Sequence, residues 1–585
     1  MSILTQSLAA KVSGFDTSLA HPAETVGTPL DNVSHVRGPT EPALVNLTIP
    51  QLLRECVTRF GARDAVIIPH QGVRRNYEAF ARDIDDLATG LLALGLETGD
   101  RVGIWSPNRY EWLLTQFATA RVGLILVNIN PAYRLAEVEY ALNKVGCKAL
   151  IAAEAFKSSN YLGMIRQLAP ELERCEPGRL CAETLPHLRH VIGLCADPGP
   201  GIFPFDTIRT LGGPAQHLRL GSIDARLDPQ DAVNIQFTSG TTGAPKGATL
   251  SHHNIVNNAR SVTDRILLTE SDRLCIPVPL YHCFGMVMGV LGAVSKGAAI
   301  VFPGEGFEAR TTLEALSAER CTALYGVPTM FVAMLEEMAN GDYDLSPLRT
   351  GIMAGAPCPI EVMRRVNAEM SMDEVTICYG MTETSPVSFQ SFVDDPIETR
   401  CATVGRIHPH LEAKIIDSAG ATVPIGEQGE LCTRGYSVML GYWDDADKTA
   451  ESLRDGWMHT GDLARIDADG FCTITGRVKD MIIRGGENIS PREIEEFLFR
   501  HPKISEAQVF GIPDDTYGEE VCAWVIAKPG STLTEDEVRA FCKGQIAHYK
   551  VPKHIRLVDQ TPMTITGKPQ KFLMRDQMIE MLEGT

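Results

Sequence analysis

The chain has 585 residues, which is too long for one compact core, so we expect two or more domains. Its hydrophobic fraction of 44% is typical of a globular protein, and its net charge of -19 argues against a general nucleic-acid binder, which needs a basic face. The 15 cysteines form no Cys-x-x-Cys pair, which favours reduced thiols in a cytoplasmic protein. The longest apolar run, 284–294, is shorter than the ~18–20 residues that cross a bilayer, so no membrane span is expected.

The first residues differ in composition from the rest of the chain. Residues 1–45 are rich in Ser, Thr, Pro, Gly and Ala. They lack the charged-then-apolar layout of a signal peptide and the Arg-rich pattern of a transit peptide. We therefore interpret this segment as an extended N-terminal arm that packs on the surface.

From Thr48, whose side chain can cap a helix, helical and strand patterns alternate up to about residue 400. The helix that Thr48 caps is predicted to carry Leu52, Leu53, Val57 and Phe60 on one face. Further helices are predicted at 77–96, 109–120, 137–145, 286–294, 309–318, 329–338 and 360–368. Strands are predicted at 102–105, 124–127, 149–152, 233–237, 248–250, 274–276, 299–302, 322–325, 350–354 and 375–378. Because such alternation is typical of parallel sheets with helices on their faces, we expect an α/β fold with mostly parallel, helix-covered sheets.

The pattern of predicted elements changes beyond residue 400. Short alternating strands with Gly and Asp-Gly turns, among them the hairpin signal Asp469-Gly470, predict a β-rich subdomain over about 400–478. A small α+β unit follows, and Ser490-Pro491-Arg492-Glu493 has the spacing of a helix capping box. This unit continues with strands at 507–509 and 521–526 and a helix at 535–547. We therefore divide the chain into an arm and two domains, 1–45, 46–478 and 479–585.

A loop rich in glycine and hydroxyl side chains lies within the first domain. Its sequence is Thr238-Ser239-Gly240-Thr241-Thr242-Gly243-Ala244-Pro245-Lys246-Gly247. Glycine lets the backbone approach a ligand, successive free N–H groups form an anion-binding nest, and Lys246 adds a cation, so the loop predicts polyphosphate binding. It is not a Walker A motif, in which Gly-Lys-Ser/Thr opens a helix, because strands flank it and make it a hairpin tip. The alternative is a surface turn.

A second polar stretch, Cys378-Tyr379-Gly380-Met381-Thr382-Glu383, follows a predicted parallel strand. Ligands of open α/β sheets bind at such strand ends. Tyr379 offers a ring for stacking a base, Thr382 can hydrogen-bond a phosphate, and Glu383 offers oxygen ligands to Mg²⁺. A simple turn is the alternative interpretation.

Three further stretches place polar or small residues in loops. They are Met353-Ala354-Gly355-Ala356-Pro357, Thr460-Gly461-Asp462 with Gly476-Arg477-Val478-Lys479-Asp480, and Thr566-Gly567-Lys568. A carboxylate such as that of Asp462 is suited to accept two hydrogen bonds from vicinal hydroxyls. Each stretch taken alone has a simpler explanation. The first is also explained as a connector between a strand and a helix, and Lys568 as a solvated lysine. Asp462 is also explained as a turn residue, and Arg477 as the partner in a surface salt bridge.

The order of these stretches resembles the adenylate-forming superfamily, which contains acyl-CoA synthetases, firefly luciferases and peptide-synthetase adenylation domains. The resemblance covers about residues 50–580, and it implies an N-terminal AMP-binding domain and a small mobile C-terminal domain that rotates about the hinge residue Lys479. It implies that Asp462 holds the ribose with help from Arg477, and that Mg²⁺ lies near Glu383. The implied ATP-binding residues are Thr238, Ser239, Gly240, Thr241, Thr242, Gly243, Lys246, Gly355, Ala356, Pro357, Tyr379, Gly380, Met381, Thr382, Asp462, Arg477 and Lys568.

The resemblance also implies roles in catalysis and in acyl and CoA binding. Lys568 would stabilise the charge that adenylation builds on the α-phosphorus, although Pro569 follows it where the family more often has Ile or Val. His282 would lie beside the substrate carboxylate, with a core histidine as the alternative, whereas Cys283 lacks a paired base for a nucleophilic role. The implied catalytic residues are Lys568, Thr382, Glu383 and His282. The implied acyl pocket is Tyr281, His282, Tyr325, Gly326, Val327 and Met381, and the implied CoA tunnel is Gly485, Gly486 and Glu487.

We therefore expect an ATP-dependent fatty acyl-CoA synthetase with ATP, Mg²⁺ and CoA as cofactors or co-substrates. No acidic residue lies between Pro277 and Gly289, and a pocket for an amino acid needs a carboxylate for the ammonium group, so a hydrophobic tail is favoured. The chain size and the absence of a predicted membrane span favour medium-chain fatty acids. The expected partners are small molecules and no nucleic acid, and a homodimer stays open.

Several alternatives stay open at this point. Within the superfamily they are an aryl or other small carboxylic acid–CoA ligase, a luciferase-like enzyme and a free-standing adenylation domain. A non-catalytic nucleotide-binding protein predicts decayed motifs, yet the motif residues are present, namely Lys246, Glu383, Asp462, Arg477 and Lys568. A generic kinase or ATPase is disfavoured because the Walker A motif is missing.

Overall fold

The computed structural model describes residues 27–238, 245–484, 487–514, 517–543, 545–546, 548–564 and 569–583. Residues 1–26 of the predicted arm therefore lie outside the described part of the chain. Within the described residues, no helix has the length and apolar composition that crossing a membrane requires.

An eight-stranded sheet forms the first layer of the N-terminal part. The first six strands pair in parallel, and the last two pair antiparallel. Their spatial order is Phe203–Pro204, His190–Gly193, Ala149–Ala152, Arg101–Trp105, Ile125–Asn128, Ala232–Thr238, Lys246–Ser251 and Gly441–Tyr442. The antiparallel pair formed by the sixth and seventh strands is the predicted hairpin around the glycine-rich loop.

A seven-stranded sheet forms the second layer. Its neighbouring strands pair in parallel, except that the last two strands pair antiparallel with each other. Its order is Glu374–Thr376, Thr350–Met353, Ala323–Gly326, Arg273–Cys275, Ala299–Val301, Asp64–Ile68 and Val73–Asn76. The helices of this part of the chain mostly bury their apolar residues. They are Ile49–Phe60, Tyr77–Ala93, Tyr110–Arg121, Leu135–Val145, Tyr161–Leu168, Phe205–Thr210, Pro214–Asp224, His252–Arg265, Gly292–Lys296, Ala309–Ala318, Pro328–Glu337, Ile360–Met370 and Ile397–Ala402. The predicted α/β class is confirmed.

A six-stranded antiparallel sheet follows as the predicted β-rich part. It contains His35–Arg37, Leu411–Ile416, Gly429–Gly435, Trp457–Ile466, Leu453–Arg454 and Cys472–Arg477. The first of these strands belongs to the predicted arm, and its central residue Val36 is fully buried. The end of the arm is therefore part of a sheet and its core, because backbone pairing with Leu411–Ile416 satisfies its N–H and C=O groups.

The C-terminal part has a five-stranded sheet and three helices. The strands are Glu487–Ile489, Ile482–Arg484, Gly518–Ala527, Ile504–Asp514 and His554–Leu557, and the helices are Pro491–Leu498, Glu535–Cys542 and Lys571–Glu583. The last helix was not predicted. The helix predicted at 535–547 ends at Cys542, because Lys543 has extended backbone dihedrals.

The predicted capping box at Ser490 is wrong. Ser490 is the N-cap residue, but its side chain makes no capping hydrogen bond. Its Oγ donates instead to the carbonyl oxygen of Thr475 at 2.6 Å, and the Glu493 carboxylate binds Lys550 Nζ at 2.5 Å. Both side chains of the box are thus engaged with other parts of the fold.

His252, at the start of helix His252–Arg265, should make the protein less stable in acid. Its ring is buried, Nδ1 accepts a hydrogen bond from Ile49 N at 3.1 Å, and burial lowers its pKa from 6.5 to about 3. Between these two pH values only the unfolded chain binds the proton, so the free energy of unfolding falls by about 1.4 kcal/mol per pH unit as the pH drops. His252→Asn keeps an acceptor without a titrating ring and should show a shallower loss.

The test compares urea denaturation midpoints at about pH 7.5 and about pH 5.5. His217→Asn is the matched control, because His217 is exposed. It should keep the pH dependence of the parent protein. Equal pH dependence of His252→Asn and the parent would contradict the prediction.

Candidate active site

The glycine-rich loop is held by two paired strands. Thr238 ends the incoming strand directly opposite Lys246, which begins the outgoing one. The predicted positions Ser239, Gly240, Thr241, Thr242 and Gly243 lie outside the described residues. The ends of the loop are therefore fixed in the sheet, and they present Thr238 and Lys246 at the same edge.

The Glu383 carboxylate lies at this edge and is buried. Its Oε1 atom accepts hydrogen bonds from Thr238 Oγ1 at 3.0 Å and from the Tyr442 hydroxyl at 2.9 Å. The Lys246 ammonium lies 4.6 Å from the centre of the Tyr442 ring. The structure thus brings Glu383 to the two ends of the loop, although Glu383 lies 145 positions after Thr238 in the sequence.

Tyr442 is not among the predicted site residues. It reaches the site because its strand pairs with Lys246–Ser251, with Tyr442 opposite Ala248. Burial and the neighbouring Glu383 carboxylate raise the pKa of Tyr442 well above its usual range, so its hydroxyl stays protonated and can donate. No local pattern marks this residue, because its role depends on a strand pairing between distant parts of the chain.

Tyr379 and Gly380 lie on a different kind of strand from the predicted one. The parallel strand ends at Thr376, and Cys378–Gly380 pairs antiparallel with Val387–Gln390 in a separate three-stranded sheet. A Cβ atom on Gly380 would lie 1.8 Å from the Pro386 carbonyl oxygen, so glycine permits this close pairing. Thr382 and Glu383 follow in a short 3₁₀ turn.

Asp462 forms a second polar centre together with Tyr379 and Arg477. Its Oδ2 atom accepts a hydrogen bond from the Tyr379 hydroxyl at 2.6 Å, and its Oδ1 atom accepts one from Arg477 Nε at 3.0 Å. Asp462 and Arg477 are directly opposite each other on paired strands. Burial and Asp462 raise the pKa of Tyr379 well above its usual range. The predicted base-stacking residue and the predicted ribose-binding pair are thus one hydrogen-bonded unit.

The other predicted nucleotide and hinge residues occupy loops. Gly355 has a φ of +89°, a left-handed conformation that favours glycine, and begins Gly355-Ala356-Pro357 shortly after the parallel strand Thr350–Met353. Lys479 is exposed in the short 3₁₀ turn Val478–Asp480, which follows strand Cys472–Arg477 and precedes the C-terminal sheet. Lys568, Gly485 and Gly486 lie outside the described residues, and Glu487 is described only as part of strand Glu487–Ile489.

Tyr325 of the predicted acyl pocket stacks on Phe284, which was not predicted for that pocket. The Phe284 and Tyr325 rings lie 5.5 Å apart at an angle of 30°, and both are buried. The Tyr325 hydroxyl has no hydrogen-bond partner among the residues that the structure describes. Val327 and the partly buried Met381 belong to the same apolar cluster. His282 is half-buried, and its Nδ1 accepts a hydrogen bond from Phe284 N at 3.1 Å.

The helix predicted at 286–294 begins as the π-helix Phe284–Leu291, which is buried throughout, and continues as Gly292–Lys296. Buried amide side chains hold its start. Asn128 Nδ2 donates to the Tyr281 carbonyl oxygen at 2.9 Å, and Gln116 Nε2 donates to the Met286 carbonyl oxygen at 3.3 Å. Such π-turns are frequent at functional sites, and these amides fix the segment that carries His282.

Asn128, Asn234 and Gln236 are not among the predicted site residues. Asn234 Nδ2 donates to Asn128 Oδ1 at 3.0 Å, and Gln236 Nε2 donates to Asn234 Oδ1 at 2.9 Å. All three are buried on the first sheet. The sequence signal is an amide inside an apolar strand, because a buried polar group needs a partner and indicates a specific network.

Cys283 is not activated as a nucleophile. The side chain is fully buried, and burial raises its pKa from 9.0 to about 12. Its Sγ donates to Gln236 Oε1 at 3.2 Å. The thiol is therefore protonated near neutral pH and acts as part of the buried amide network.

The sequence is similar to known proteins. Residues 53–443 match the profile of the family described as AMP-binding enzyme, and residues 493–568 match its C-terminal domain. The chain is 48% identical over 558 residues to "Medium-chain acyl-CoA ligase ACSF2, mitochondrial" of Danio rerio. This match covers 95% of this chain and 92% of the relative. It is 45% identical to "Putative acyl-CoA synthetase YngI" of Bacillus subtilis (strain 168), over 92% of this chain and 98% of the relative.

The fold is also similar to that of a solved ligase. The crystal structure of the anthranilate CoA ligase AuaEII in complex with anthranoyl-AMP superimposes with a TM-score of 0.79. The match covers 91% of this chain and 97% of that one at 26% identity. The predicted two-part adenylate-forming architecture thus has a counterpart among solved structures.

The prediction of a cytoplasmic protein is wrong. It rested on the reduced thiols and on the absence of a recognisable targeting pattern in residues 1–45. The Danio rerio relative, which matches nearly the whole chain, is named as mitochondrial. Cysteine chemistry does not distinguish these compartments, because both keep thiols reduced.

Proposed function

Because the chain belongs to the AMP-binding enzyme family, we propose that it is an ATP-dependent acyl-CoA ligase acting on medium-chain fatty acids. The observation that carries the proposal is the buried Glu383 carboxylate, which accepts hydrogen bonds from Thr238 at the start of the glycine-rich loop and from Tyr442. This contact supports the proposal because a carboxylate, which is a suitable Mg²⁺ ligand, lies beside the start of the loop that we propose binds polyphosphate.

The reaction has two steps. In the first, a fatty acid carboxylate oxygen attacks the α-phosphorus of ATP, the bond to the bridging oxygen breaks, and acyl-adenylate and pyrophosphate form. In the second, the CoA thiolate attacks the acyl carbonyl carbon, and AMP leaves with the oxygen of the former carboxylate. The protein contributes by positioning the reactants and by stabilising the charge that develops on the α-phosphate and on the acyl carbonyl oxygen.

The glycine-rich loop and Glu383 act on the leaving pyrophosphate. Lys246 and the backbone N–H groups of the loop offset the charge of the β- and γ-phosphates. Glu383 fits Mg²⁺, because its oxygens are hard ligands and its known hydrogen bonds come from the neutral hydroxyls of Thr238 and Tyr442. Mg²⁺ supplies charge neutralisation of the phosphates when bound. Thr382, next to Glu383, donates to the α-phosphate.

Asp462, Tyr379 and Arg477 hold the nucleoside. Asp462 accepts hydrogen bonds from the ribose hydroxyls, while Arg477 and the Tyr379 hydroxyl fix the orientation of its carboxylate. The Tyr379 ring and Gly355-Ala356-Pro357 border the base. The link between Tyr379 and Asp462 makes recognition of base and ribose interdependent.

Asp462→Asn should raise the KM for ATP by about 10–100-fold, because hydrogen bonds to a charged group contribute about 1.5–3 kcal/mol each. Tyr379→Phe is the matched control, since it keeps the ring and the Asp462 carboxylate and removes one hydroxyl. It should raise the KM by less than about 10-fold. Initial rates of pyrophosphate release at varied ATP measure both. A larger effect of Tyr379→Phe than of Asp462→Asn would contradict the role of Asp462.

The acyl chain lies against the stacked pair of Phe284 and Tyr325. His282 borders the substrate carboxylate, and Tyr281, Gly326, Val327 and Met381 complete the pocket. The buried amides Gln116 and Asn128 hold the π-helical segment in place, so the carboxylate end of the fatty acid lies against a fixed part of the fold. An apolar pocket without a carboxylate suits an uncharged tail.

The C-terminal domain adopts a different orientation in each of the two steps. Lys568 contacts the carboxylate and the α-phosphate during adenylation. Rotation about Lys479 then withdraws Lys568 and presents Gly485, Gly486 and Glu487 to the pantetheine arm of CoA. Small residues on that path leave room for the arm.

A chain-length series tests the proposal. The protein is incubated with ATP, Mg²⁺, CoA and straight-chain acids of increasing length, together with benzoate and anthranilate as aryl acids. We expect AMP and thioester in equal amounts, with the highest kcat/KM for medium chains. ADP in place of AMP would exclude the acyl-adenylate mechanism, and a maximum with the aryl acids would establish the aryl-CoA ligase alternative.

A further inference from the structure

Three side chains with metal-binding groups meet outside the ATP, acyl and CoA residues. Glu430, Cys432 and His459 each offer one ligand atom, and these atoms lie within 4.8 Å of one another. Cys432 lies directly opposite His459 on paired strands of the β-rich sheet, and Glu430 precedes Cys432 by two positions, on the same face. Strand pairing therefore sets the separation of the three groups.

The distances between the ligand atoms fit a tetrahedral metal ion. Cys432 Sγ lies 3.6 Å from His459 Nδ1, and Glu430 Oε2 lies 3.1 Å from the same nitrogen. A zinc ion about 2.3 Å from sulfur and about 2.0 Å from nitrogen separates these two ligands by about 3.5 Å. The Nδ1 atom makes one hydrogen bond at most, yet it faces two polar atoms. A cation at their centre satisfies all three.

The surroundings of the three groups favour a cation of intermediate softness. The Cys432 side chain is buried with Ile416 and Trp457, whereas the side chains of His459 and Glu430 are 15% and 25% exposed. A thiolate and a carboxylate balance the charge of a divalent ion, and sulfur, nitrogen and oxygen ligands together suit Zn²⁺. On the solvent-exposed side of the three groups, a water molecule can take the fourth coordination position.

One backbone contact orients the Glu430 ligand, and a second contact fixes the strand between Glu430 and Cys432. Glu430 Oε1 accepts a hydrogen bond from Gly461 N at 3.2 Å, which leaves Oε2 directed at His459. The Thr460 hydroxyl donates to the Leu431 carbonyl oxygen at 2.7 Å, between the two ligands of that strand. Such outer contacts fix ligand orientation in metal sites.

We propose that Glu430, Cys432 and His459 bind a divalent cation of the zinc type, with one coordination position open to solvent. The site is separate from the Mg²⁺ ligand Glu383. It does not depend on the proposed ligase activity, because none of its ligands is assigned to ATP, acyl or CoA binding. It lies next to Thr460 and Gly461, which lead into Asp462.

Cobalt spectroscopy tests the site. Metal-free full-length protein titrated with Co²⁺ should gain the near-ultraviolet charge-transfer absorption of a cobalt–thiolate bond, saturating at one equivalent, and Zn²⁺ should abolish it. Cys432→Ser should remove the band, and Glu430→Gln should weaken Co²⁺ binding by about 10-fold or more. Cys181→Ser is the matched control, because Cys181 is an exposed cysteine, and it should keep the band. A band that survives Cys432→Ser would overturn the proposal.

A second variant tests the site without removing a ligand. Lys414 lies opposite Cys432 on the neighbouring strand, and its ammonium lies 4.5 Å from the centre of the Trp457 ring. This positive charge opposes cation binding, so Lys414→Gln should tighten Co²⁺ binding by about threefold or more at low ionic strength. Unchanged or weaker binding would contradict a cation at this position, and circular dichroism of each variant checks that it is folded.

Discussion

Replacement of Lys568 by alanine should slow acyl-adenylate formation by about 10²–10³-fold and leave the conversion of supplied acyl-adenylate and CoA into thioester nearly unchanged. Adenylation concentrates negative charge around the α-phosphorus, which a nearby ammonium stabilises. In the proposed mechanism, CoA attacks the acyl carbonyl only after rotation about Lys479 has withdrawn Lys568. Acid-dependent pyrophosphate exchange measures the first step, and AMP release from synthetic acyl-adenylate measures the second.

Two further variants make this prediction specific. Lys571→Ala removes a lysine three positions further along, whose Nζ binds Glu495 Oε1 at 2.6 Å, and it should leave both steps close to those of the parent protein. Gly486→Trp should show the reverse pattern, because a bulky ring on the CoA path blocks thioester formation and spares adenylation. If Lys568→Ala slows both steps equally, the two-conformation assignment is wrong.

Elements with a complete local signal could be predicted from the sequence. Strand Ala149–Ala152 and helix Ala309–Ala318 have the predicted bounds. The strand is a short apolar run that follows Lys148, and the helix is an amphipathic repeat between Glu308 and Glu319. Asp462 and Arg477 are only 15 positions apart, and the Asp469-Gly470 turn between them predicts the hairpin that pairs them. The adenylate-forming family and the acyl-CoA synthetase class, predicted from motif order, are confirmed by the comparisons.

Contacts that depend on the tertiary fold could not be predicted. Tyr442 reaches Glu383 through a strand that joins the edge of the first sheet, and the sequence contains no signal for that pairing. The Tyr379 hydroxyl binds Asp462, which is 83 positions away, whereas the sequence predicts only a stacking role for the Tyr379 ring. The π-helix Phe284–Leu291 likewise has an ordinary apolar composition, and its winding is accompanied by buried amide contacts from other elements.

Glu383→Gln should reduce the rate of adenylation by about 100-fold or more and shift the Mg²⁺ concentration for half-maximal rate upward by about 10-fold. The amide oxygen of glutamine can still accept the hydrogen bonds from Thr238 and Tyr442, so the fold around the site should be kept. The variant loses the negative charge that we propose attracts Mg²⁺. Pyrophosphate exchange at varied Mg²⁺ and saturating ATP separates an effect on the cation from a general loss of activity.

Tyr442→Phe separates the carboxylate from its hydrogen-bonded support. It removes the 2.9 Å hydrogen bond to Glu383 and keeps both the negative charge and the ring that lies 4.6 Å from the Lys246 ammonium. A loss below about 10-fold is therefore expected, with little change in the Mg²⁺ dependence. If Glu383→Gln lowers the rate without altering the Mg²⁺ dependence, the carboxylate acts by holding Thr238 at the start of the glycine-rich loop. The cation would then be held by the phosphates and by other residues.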